Sequence, residues 1–313
     1  MSRYLVTGGA GFIGSNIVER LVEMGEEVVV LDDMSTGYRK NLENFIDDIR
    51  LIEGDIRDSE AVGKSMKGVD YVLHQAALAS VPRSIDNPVL VNDVNVNGTL
   101  NVLEEARKAG VKGLVYAASS SAYGDAEVSP KVEDLKPRPL SPYAVSKLVG
   151  EHYCAVYSNV YGLRTVCLRY FNVFGPRQDP ASQYAAVVPI FISRIMKDQA
   201  PVIYGDGEQS RDFTFVRNVV AANILAAEAE EASGEMMNVA CGEEYTVNRL
   251  LNIIGDELGS DIEPEYAEPR AGDVRHSMAD ISKAEELIGY SVEVEFKEGI
   301  NKTIDWYRHR HHS

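Results

Sequence analysis

The sequence predicts an α/β fold in which a doubly wound parallel sheet is joined to a smaller mixed α/β part. Two observations predict it. Through the first half of the 313-residue chain, short apolar segments alternate with helical stretches, which is the pattern of parallel strands joined by crossover helices. The first apolar segment leads directly into three glycines, Gly8, Gly11 and Gly14, and then into a helical stretch. A chain of this length can bury a substantial core.

The predicted strands follow one another along the chain. An amphipathic helix, from about Phe12 to Met24, separates the first two, and Met237–Ala240 returns the chain to the sheet once. The predicted strands before that return are Arg3–Val6, Glu27–Leu31, Arg50–Asp55, Tyr71–His74, Leu114–Ala118 and Val166–Tyr170. Loop signals become frequent from about Asn172. We therefore predict a nucleotide-binding domain at 1–171 with a return segment at about 213–242, and a substrate-binding domain at 172–212 and 243–313.

The glycine loop predicts a dinucleotide site. Gly8 permits a tight turn, Gly11 lets the backbone approach a pyrophosphate, and Gly14 lets the following helix pack close to the sheet. The helix begins near Phe12 and Ile13, where backbone amides and the positive end of the helix dipole favour phosphate. The expected ligand is therefore a dinucleotide held at the carboxyl end of the first strand.

Asp32 indicates which dinucleotide is bound. It ends the second predicted strand, about 20 residues past the glycines, where a carboxylate can accept hydrogen bonds from the adenosine ribose hydroxyls. Its neighbour Asp33 would repel a 2'-phosphate, so the pattern favours NAD over NADP. Arg39 and Lys40 follow closely enough that NADP stays open as an alternative.

Small and polar residues follow three other predicted strands, at the edge where ligands bind in open parallel sheets. Asp55 and Ile56 come just past the third strand, where an adenine would lie. The segment His74–Ala77, with Ala76 in it, and the triplet Ser119–Ser121 hold the equivalent positions of two further strands. We expect these residues to share one ligand-binding edge.

Tyr143 and Lys147 form a candidate catalytic pair. They stand four residues apart, so on a helix their side chains lie on the same face. An ammonium group near a phenol, whose unperturbed pKa is about 10, favours the phenolate and so permits base catalysis near neutral pH. The spacing is common on helix surfaces, but the glycine loop upstream makes redox chemistry on a bound dinucleotide the preferred interpretation.

Composition excludes several classes of protein. The formal net charge of −17 argues against non-specific nucleic-acid binding, which needs a cationic face. No apolar stretch of about 18 residues or more occurs, and a strand is predicted within three residues of Met1, so we expect neither a membrane span nor a signal peptide and a cytoplasmic location. We predict no metal site: Cys154, Cys167 and Cys241 suit buried free thiols, and the histidines near the C-terminus suit a frayed tail.

The motifs and their order along the chain resemble those of the extended short-chain dehydrogenase/reductase family, and within it those of the nucleotide-sugar 4-epimerases. The resemblance runs from residue 1 to about residue 305. Its motifs are Thr7–Gly14, Asp32, Gly54–Asp55, His74–Ala77, Ser119–Gly124, Tyr143 with Lys147, Arg169–Pro176 and Ser210–Phe213. The stretch Arg177–Pro180 with Tyr184–Pro189 is further similar to the branch that handles UDP-N-acetylglucosamine as well as UDP-glucose.

The resemblance implies an NAD-dependent interconversion of UDP-glucose and UDP-galactose, and of their N-acetyl forms, through a 4-keto sugar. Tyr143 would be the base at the sugar 4-hydroxyl, and Lys147 would hold the nicotinamide ribose and lower the tyrosine pKa. Ser119 would hydrogen-bond the reacting oxygen, with Ser120 as the alternative.

The resemblance also implies a set of substrate-binding positions. Asn172 would hold the UDP pyrophosphate, and Arg211 and Arg270 would supply a cationic clamp. The segment Pro201–Tyr204 would bracket the uracil, and Ser277 would lie beside the sugar C2 substituent, with Ala79 and Ala186 as further wall positions. The remaining substrate-binding positions are Ser121, Gln178, Val188, Val202, Tyr204 and Asp273.

Other reactions of the family remain alternatives, among them UDP-glucuronate 4-epimerisation. Nucleotide-sugar 4,6-dehydratases resemble this chain but place an Asp-Glu pair beside the catalytic serine or threonine, and UDP-glucuronate decarboxylases place a Glu there. Ser120, Ser121 and Ala122 occupy those positions here, which disfavours both. A catalytically silent NAD-sensing protein is disfavoured because Tyr143 and Lys147 are both present.

The resemblance finally implies a homodimer. In this family, the helices corresponding to 95–108 and 143–161 build a four-helix interface. The expectation rests on apolar residues of these helices that a single sheet would not cover completely, namely Val102, Leu103, Ala106, Leu148 and Tyr157.

Overall fold

The computed structural model describes residues 1–180, 186–269 and 274–310. Its centre is a seven-stranded parallel sheet with strand order β11-β6-β5-β4-β1-β2-β3, which confirms the predicted fold class. The strands of this sheet are β1 (Arg3–Thr7), β2 (Glu27–Asp32), β3 (Ile49–Glu53), β4 (Tyr71–His74), β5 (Gly113–Ser119), β6 (Thr165–Tyr170) and β11 (Met236–Val239).

The strand order opens a crevice in the sheet. From β1 the chain crosses to β2 and then β3 on one side, and it returns past β1 to β4 on the other. Because the crossovers diverge at this point, the carboxyl ends of β1 and β4 border a gap in which open α/β sheets bind their ligands. The fold therefore brings the glycine loop and His74–Ala77 together at one edge.

Helices cover both faces of the sheet, and each face has its own hydrophobic core. On one face α1 (Phe12–Glu23) packs against α8 (Val216–Glu228). On the other lie α2 (Ser59–Ser65), α5 (Gly98–Ala109) and α6 (Pro142–Tyr161). The remaining helices are α3 (Val81–Asp86), α4 (Pro88–Asn92), α7 (Val187–Ile195), α9 (Val247–Leu258), α10 (Ser282–Ile288) and α11 (Phe296–Arg310).

Three small sheets form the mixed α/β part after residue 172. They pair β7 (Val173–Phe174) with β10 (Thr214–Phe215), β8 (Val202–Tyr204) with β13 (Glu265–Ala267), and β9 (Ser210–Arg211) with both β12 (Tyr245–Thr246) and β14 (His276–Ser277). The strand β11 rejoins the large sheet beside β6. The boundaries that we assign to the two domains stay a prediction.

The residues expected to lie incompletely covered are packed inside the chain. Val102, Leu103, Ala106 and Tyr157 are buried in the core under α5 and α6, and Leu148 is partly buried, so the expectation is wrong for the first four. The physical reason is that α5 and α6 pack against each other and against the sheet at once. The predicted helix over 95–108 also begins differently, with a π-helical turn at Asp93–Asn97.

The sequence predicts neither a membrane span nor a metal site, and the structure can be compared with both expectations over the described residues. In ranges 1–180, 186–269 and 274–310, no helix has both the length and the apolar character needed to cross a bilayer. The same ranges contain no group of three or more His, Cys, Asp or Glu side chains suited to a metal ion. Cys154 and Cys167 are buried and Cys241 is partly buried, all three as free thiols.

Candidate active site

A cleft of about 850 Å³ opens at the carboxyl edge of the large sheet. This volume falls within the roughly 300–1,000 Å³ typical of small-molecule and cofactor sites. All the residues predicted to bind the cofactor line it, so the structure brings them together: Gly8, Gly11, Phe12, Ile13, Gly14, Asp32, Asp55, Ile56, Ala76, Tyr143 and Lys147.

The glycine loop forms a cradle that larger residues could not form. Gly8 has a φ of +67°, and a Cβ placed there would lie 2.7 Å from the backbone nitrogen of Ala76. A Cβ on Gly14 would lie 2.1 Å from the carbonyl oxygen of Gly8. The chain therefore turns tightly and brings the first amides of α1 to the cleft, as phosphate binding at a helix N-terminus requires. This geometry fits the pyrophosphate of a dinucleotide.

Asp32 joins the end of β2 to the glycine loop. Its carboxylate accepts hydrogen bonds from the backbone amides of Ala10 (2.9 Å) and Met34 (2.8 Å). Burial raises the pKa of Asp32, and the two amide hydrogen bonds oppose that rise. Each carboxylate oxygen has a second lone pair, so ribose hydroxyls can still donate to it. Arg39, the cation that left NADP open, forms an exposed ion pair with Glu53 (2.7 Å).

The proposed catalytic side chains converge at the end of β5. Ser141 caps α6 by accepting a hydrogen bond from the Ala144 amide (3.1 Å), which sets Tyr143 in the first turn and Lys147 one turn later. The Ser119 side chain lies close enough to Tyr143 to lower the pKa of its phenol. The Nζ of Lys147 donates to the carbonyl oxygen of Ala117 (2.8 Å).

Within the serine triplet, Ser119 is the residue that contacts Tyr143. Its Oγ accepts hydrogen bonds from both the amide (3.2 Å) and the hydroxyl (2.9 Å) of Ser121. With those two donors already on its oxygen, the Ser119 hydroxyl still has its own proton to donate, and it is the serine that lowers the pKa of Tyr143. This arrangement favours Ser119 over Ser120 as the group that would reach a reacting oxygen.

The electrostatics of the pair differ from the expectation. Burial raises the pKa of Tyr143, with Ser119 opposing and without a contribution from Lys147, so the lowering expected from Lys147 stays a prediction. The ammonium is instead held by the Ala117 carbonyl and lies 5.0 Å from the centre of the Tyr116 ring. Burial also lowers the pKa of Lys147 to about 8, partly opposed by Glu151. Lys147 therefore loses its charge as the pH rises through about 8.

A buried ion pair joins the helix that carries Tyr143 and Lys147, α6, to the neighbouring strand β6. Arg169 on β6 binds Glu151 on α6 through two hydrogen bonds of 2.8 Å, and its guanidinium lies 4.5 Å from the centre of the Tyr123 ring. Glu151 is one turn beyond Lys147 on the same helix face. Sequence reasoning missed this pair, although Arg169 opens a quoted motif, because its partner lies 18 residues away.

Several other residues that line the cleft were also missed. They are Tyr38, Gln75, Arg83, Tyr170 and Asp179. No motif marks Tyr38 or Arg83, and the other three stand in motifs of the sequence without having been assigned to the cofactor or the substrate.

The predicted substrate-binding residues occupy two regions. Ala79, Gln178 and Ala186 line the cleft itself. The Nε2 of Gln178 donates to the carbonyl of Val173 (3.1 Å), and its buried Oε1 has no hydrogen-bond partner within the described residues. This wall of the cleft therefore contains a fixed acceptor.

The second region is the group of small sheets. Arg211 and Ser277 are paired across β9 and β14, Val202 and Tyr204 lie on β8, and the Nδ2 of Asn172 donates to the Asp212 carbonyl (3.2 Å). The described residues that line the cleft do not include these five. Arg270 and Asp273 lie outside the described residues.

The prediction that Val188 binds substrate stays a prediction, and its side chain is buried. Val188 is 1% exposed and packs in the hydrophobic core at the start of α7. Its position in the sequence, between a predicted wall residue and Pro189, does not reveal that the first turn of α7 directs this side chain inward.

A parallel sheet with a glycine cradle at its switch point, together with Tyr143 and Lys147 in the same cleft, defines an enzyme that works on a bound dinucleotide. The chain belongs to the NAD dependent epimerase/dehydratase family, which matches residues 4–240. The family expected from the motifs is confirmed, and NAD is its cofactor.

Similar proteins extend over the whole chain. A UDP-glucose 4-epimerase of Mycolicibacterium smegmatis is 39% identical, with 98% of this chain and 99% of that protein covered. The structure of a UDP-N-acetylglucosamine 4-epimerase from Methanobrevibacter ruminantium M1, in complex with UDP-N-acetylmuramic acid, has a TM-score of 0.95 at 42% identity, with 99% of each chain covered. The structure of a Thermus thermophilus UDP-glucose 4-epimerase complexed with NAD has a TM-score of 0.89 at 41% identity, covering 98% of this chain and 99% of that one.

The family also contains other reactions at lower identity. A UDP-glucuronic acid decarboxylase 1 of Xenopus tropicalis is 33% identical, with 98% of this chain and 72% of that protein covered. Membership of the family alone therefore leaves the reaction to be decided by the site.

Proposed function

We propose that this protein is a UDP-sugar 4-epimerase that inverts C4 through a 4-keto sugar. The observation that carries the proposal is that Tyr143 and Lys147 line the cleft that contains the glycine cradle, with Ser119 near enough to lower the pKa of Tyr143. Ser120, Ser121 and Ala122 follow Ser119, so the acidic side chains that the dehydratases and decarboxylases use are missing from these positions. A site that holds a base but no such acid suits a reaction in which C4 of the sugar is oxidised and then receives the same hydrogen back.

The side chains divide the work at the sugar. Tyr143 takes the O4 proton as C4 is oxidised and returns it as C4 is reduced, while Ser119 donates a hydrogen bond to the reacting oxygen. Lys147 uses one ammonium proton to bond Ala117 and keeps two for ribose hydroxyls. When bound, NAD supplies the two-electron acceptor and a positive charge that favours the phenolate of Tyr143.

The reaction has a direct test. The purified protein is incubated with UDP-glucose without added NAD, and the nucleotide sugars are separated by chromatography. We expect UDP-galactose as the product, because the cofactor is regenerated in each cycle and stays bound. A 4-keto-6-deoxy sugar as the product, or carbon dioxide released from UDP-glucuronate, would assign the protein to another reaction of the family.

We propose that Ser277 determines the size of the sugar that the enzyme accepts. The family members restricted to non-acetylated sugars resemble one another in carrying a bulky tyrosine at this position, so serine leaves a ring's worth of volume beside C2. Ala79 and Ala186 add small wall positions, and the unpartnered Oε1 of Gln178 is an acceptor for a sugar N–H. We therefore propose activity on UDP-N-acetylglucosamine, with UDP-glucose also accepted.

Ser277→Tyr is expected to abolish activity on UDP-N-acetylglucosamine and to spare activity on UDP-glucose, because the added ring fills the room for the acetyl group. The two kcat/KM values are measured side by side, with Ser277→Ala as the control that adds no volume. A missing methylene costs only about 1–3 kcal/mol in a hydrophobic pocket, so the smaller sugar is disfavoured by limited amounts and the wild type should accept both. Equal losses on both sugars in Ser277→Tyr would remove Ser277 as the determinant of sugar size.

The protein is proposed to be a homodimer, through a surface that differs from the residues first expected. Exposed apolar side chains lie on α3, α4 and α6, among them Ile85 (62% exposed), Val89 (78%) and Val160 (67%), together with Val145 and Val156. On α6, Val145, Val156 and Val160 recur at helical spacing on one side. Two copies that meet along this face would cover it.

Light scattering at micromolar concentration is expected to give twice the 34.5 kDa mass of the chain. Val156→Asp should shift the mass toward the monomer, because it places a charge in the apolar interface. Leu225→Asp, which makes the same kind of change at an exposed apolar residue on α8, is the control that should stay dimeric. A monomeric mass for the wild type would contradict the dimer.

Two expectations from composition stay predictions. The acidic balance of 48 Asp and Glu against 31 Lys and Arg argues against nucleic-acid binding, and the proposed substrates are nucleotide sugars. A cytoplasmic location is likewise what the sequence predicts.

A further inference from the structure

A hydrogen bond links two walls of the cleft that are 141 residues apart in sequence. The hydroxyl of Tyr38 donates to Oδ2 of Asp179 at 2.8 Å. Tyr38 lines the cleft on the side of Asp32, in the loop after β2, and Asp179 lines it beside Gln178. The bond therefore connects the nucleotide side of the cleft to the side proposed for the sugar.

The Tyr38 end is fixed to the glycine loop. The backbone amide of Tyr38 and the side-chain amide of Asn41 both donate to the carbonyl oxygen of Ala10, at 3.0 and 2.9 Å. A Cβ on Gly37 would lie 2.9 Å from Ala10, so the loop packs directly against the cradle. Tyr38 is thus anchored where the loop meets the start of α1.

The Asp179 end is fixed to α1 itself. The side chain of Asn16 donates to the carbonyl oxygen of Pro176 (3.1 Å), and Arg177 forms an ion pair with Glu19. Arg177 adopts a φ of +70°, which turns the chain sharply just before Gln178 and Asp179. The segment from Pro176 to Asp179 is therefore held by two contacts one turn apart on the same helix.

Together these contacts close a continuous ring of protein. The ring runs from Ala10 through Tyr38 and Asp179 to Pro176, and back to Asn16 on α1. The α1 residues between its two ends are Gly11 to Ser15, which include the cleft-lining start of the helix. The cradle that fits a pyrophosphate and the Tyr38–Asp179 bond therefore belong to one ring of contacts around the same cleft.

We propose that the Tyr38–Asp179 hydrogen bond bridges the cleft over the dinucleotide and slows its release. The inference rests on NAD binding and does not depend on which sugar is turned over. An enzyme that oxidises and then reduces the same sugar benefits from such a bridge, because loss of the cofactor in mid-cycle would strand the oxidised sugar. Tyr38 and Asp179 are positioning residues in this role.

The strength of the bridge sets the size of the expected effect. A phenol that donates to a carboxylate forms a charge-assisted hydrogen bond. Tyr38 is 49% exposed, so water competes for both partners. Removing the hydroxyl is therefore expected to raise the release rate by about tenfold, at the lower end for a hydrogen bond to a charged group.

The release rate is measured with cofactor alone. Protein loaded with NADH is mixed with excess NAD, and the fluorescence of bound NADH is followed as it dissociates. Tyr38→Phe and Asp179→Ala are each expected to release NADH about tenfold faster. The double variant should be no faster than either single one, because both remove the same bond. Asp179→Asn, which keeps an acceptor oxygen, should restore slow release in part.

Tyr245→Phe is the matched control. It removes a phenol hydroxyl that donates to Glu243 at 2.8 Å, and Tyr245 is not among the described residues that line the cleft. Its release rate should equal that of the wild type. An unchanged rate in Tyr38→Phe would overturn the proposal. Slower release in Asp179→Ala would overturn it as well, because the carboxylate would then act by repelling the cofactor phosphates. Sugar is absent from the assay, so a failure of the epimerase proposal would not affect either outcome.

Discussion

Replacing Tyr143 with phenylalanine is expected to lower epimerase turnover by about 10²- to 10⁴-fold, the usual loss when a general base is removed. The change deletes one hydroxyl, the group whose pKa the Ser119 side chain lowers, and keeps the ring at the start of α6. Turnover is measured as the rate of UDP-galactose formation from UDP-glucose at saturating substrate.

The control for this variant lies on the same helix. Tyr157→Phe also removes a phenol hydroxyl, one that donates to Glu104 at 3.2 Å, and it should keep wild-type turnover. Both variants should melt at the temperature of the wild type and retain bound NAD. Turnover of Tyr143→Phe within a few-fold of the wild type would show that another group removes the O4 proton.

Glu151→Gln is expected to lower the free energy of unfolding by about 3–5 kcal/mol, the usual cost of leaving one partner of a buried ion pair without its counter-charge. Arg169 is almost fully buried, and its Nη1 has no hydrogen-bond partner within the described residues. The two hydrogen bonds to Glu151 are therefore the main compensation for its charge. Urea unfolding at a fixed NAD concentration measures the change, because bound cofactor itself adds stability.

Asp206→Asn is the matched control for that prediction. It neutralises one carboxylate of an ion pair with Arg275 in which both side chains are more than half exposed, so water replaces the lost contact and little stability should be lost. Surface ion pairs contribute up to about 1 kcal/mol. If Glu151→Gln lowers the free energy of unfolding by less than that, Arg169 has found another partner.

The parts of the fold that depend on local sequence could be predicted. The glycine loop is one, because its geometry follows from the absence of a Cβ at Gly8 and Gly14. The strands of the large sheet are another, since continuous apolar runs suit strands buried on both faces. The third strand spans Ile49–Glu53 rather than 50–55, and the amide of Gly54 makes a last hydrogen bond to the Asp32 carbonyl as the chain leaves the sheet.

The parts that depend on tertiary contacts could not be predicted. The spacing of Tyr143 and Lys147 put them on one helix face, but it carried no information about burial, which sets the sign of the Tyr143 pKa shift. The bond between Tyr38 and Asp179 joins loops far apart in the sequence. Arg211 and Ser277 were expected near the sugar, and only the register of β9 with β14 reveals that they are paired neighbours.

The central claim is that C4 of the sugar is oxidised and reduced within one closed site. UDP-glucose carrying deuterium at C4 tests it most directly, with the product analysed by mass spectrometry and NMR in ordinary water. If the account is right, UDP-galactose forms without added NAD and keeps the deuterium at C4. Inversion by proton exchange at C4 would wash the label into solvent, and a product that has lost deuterium would contradict the account.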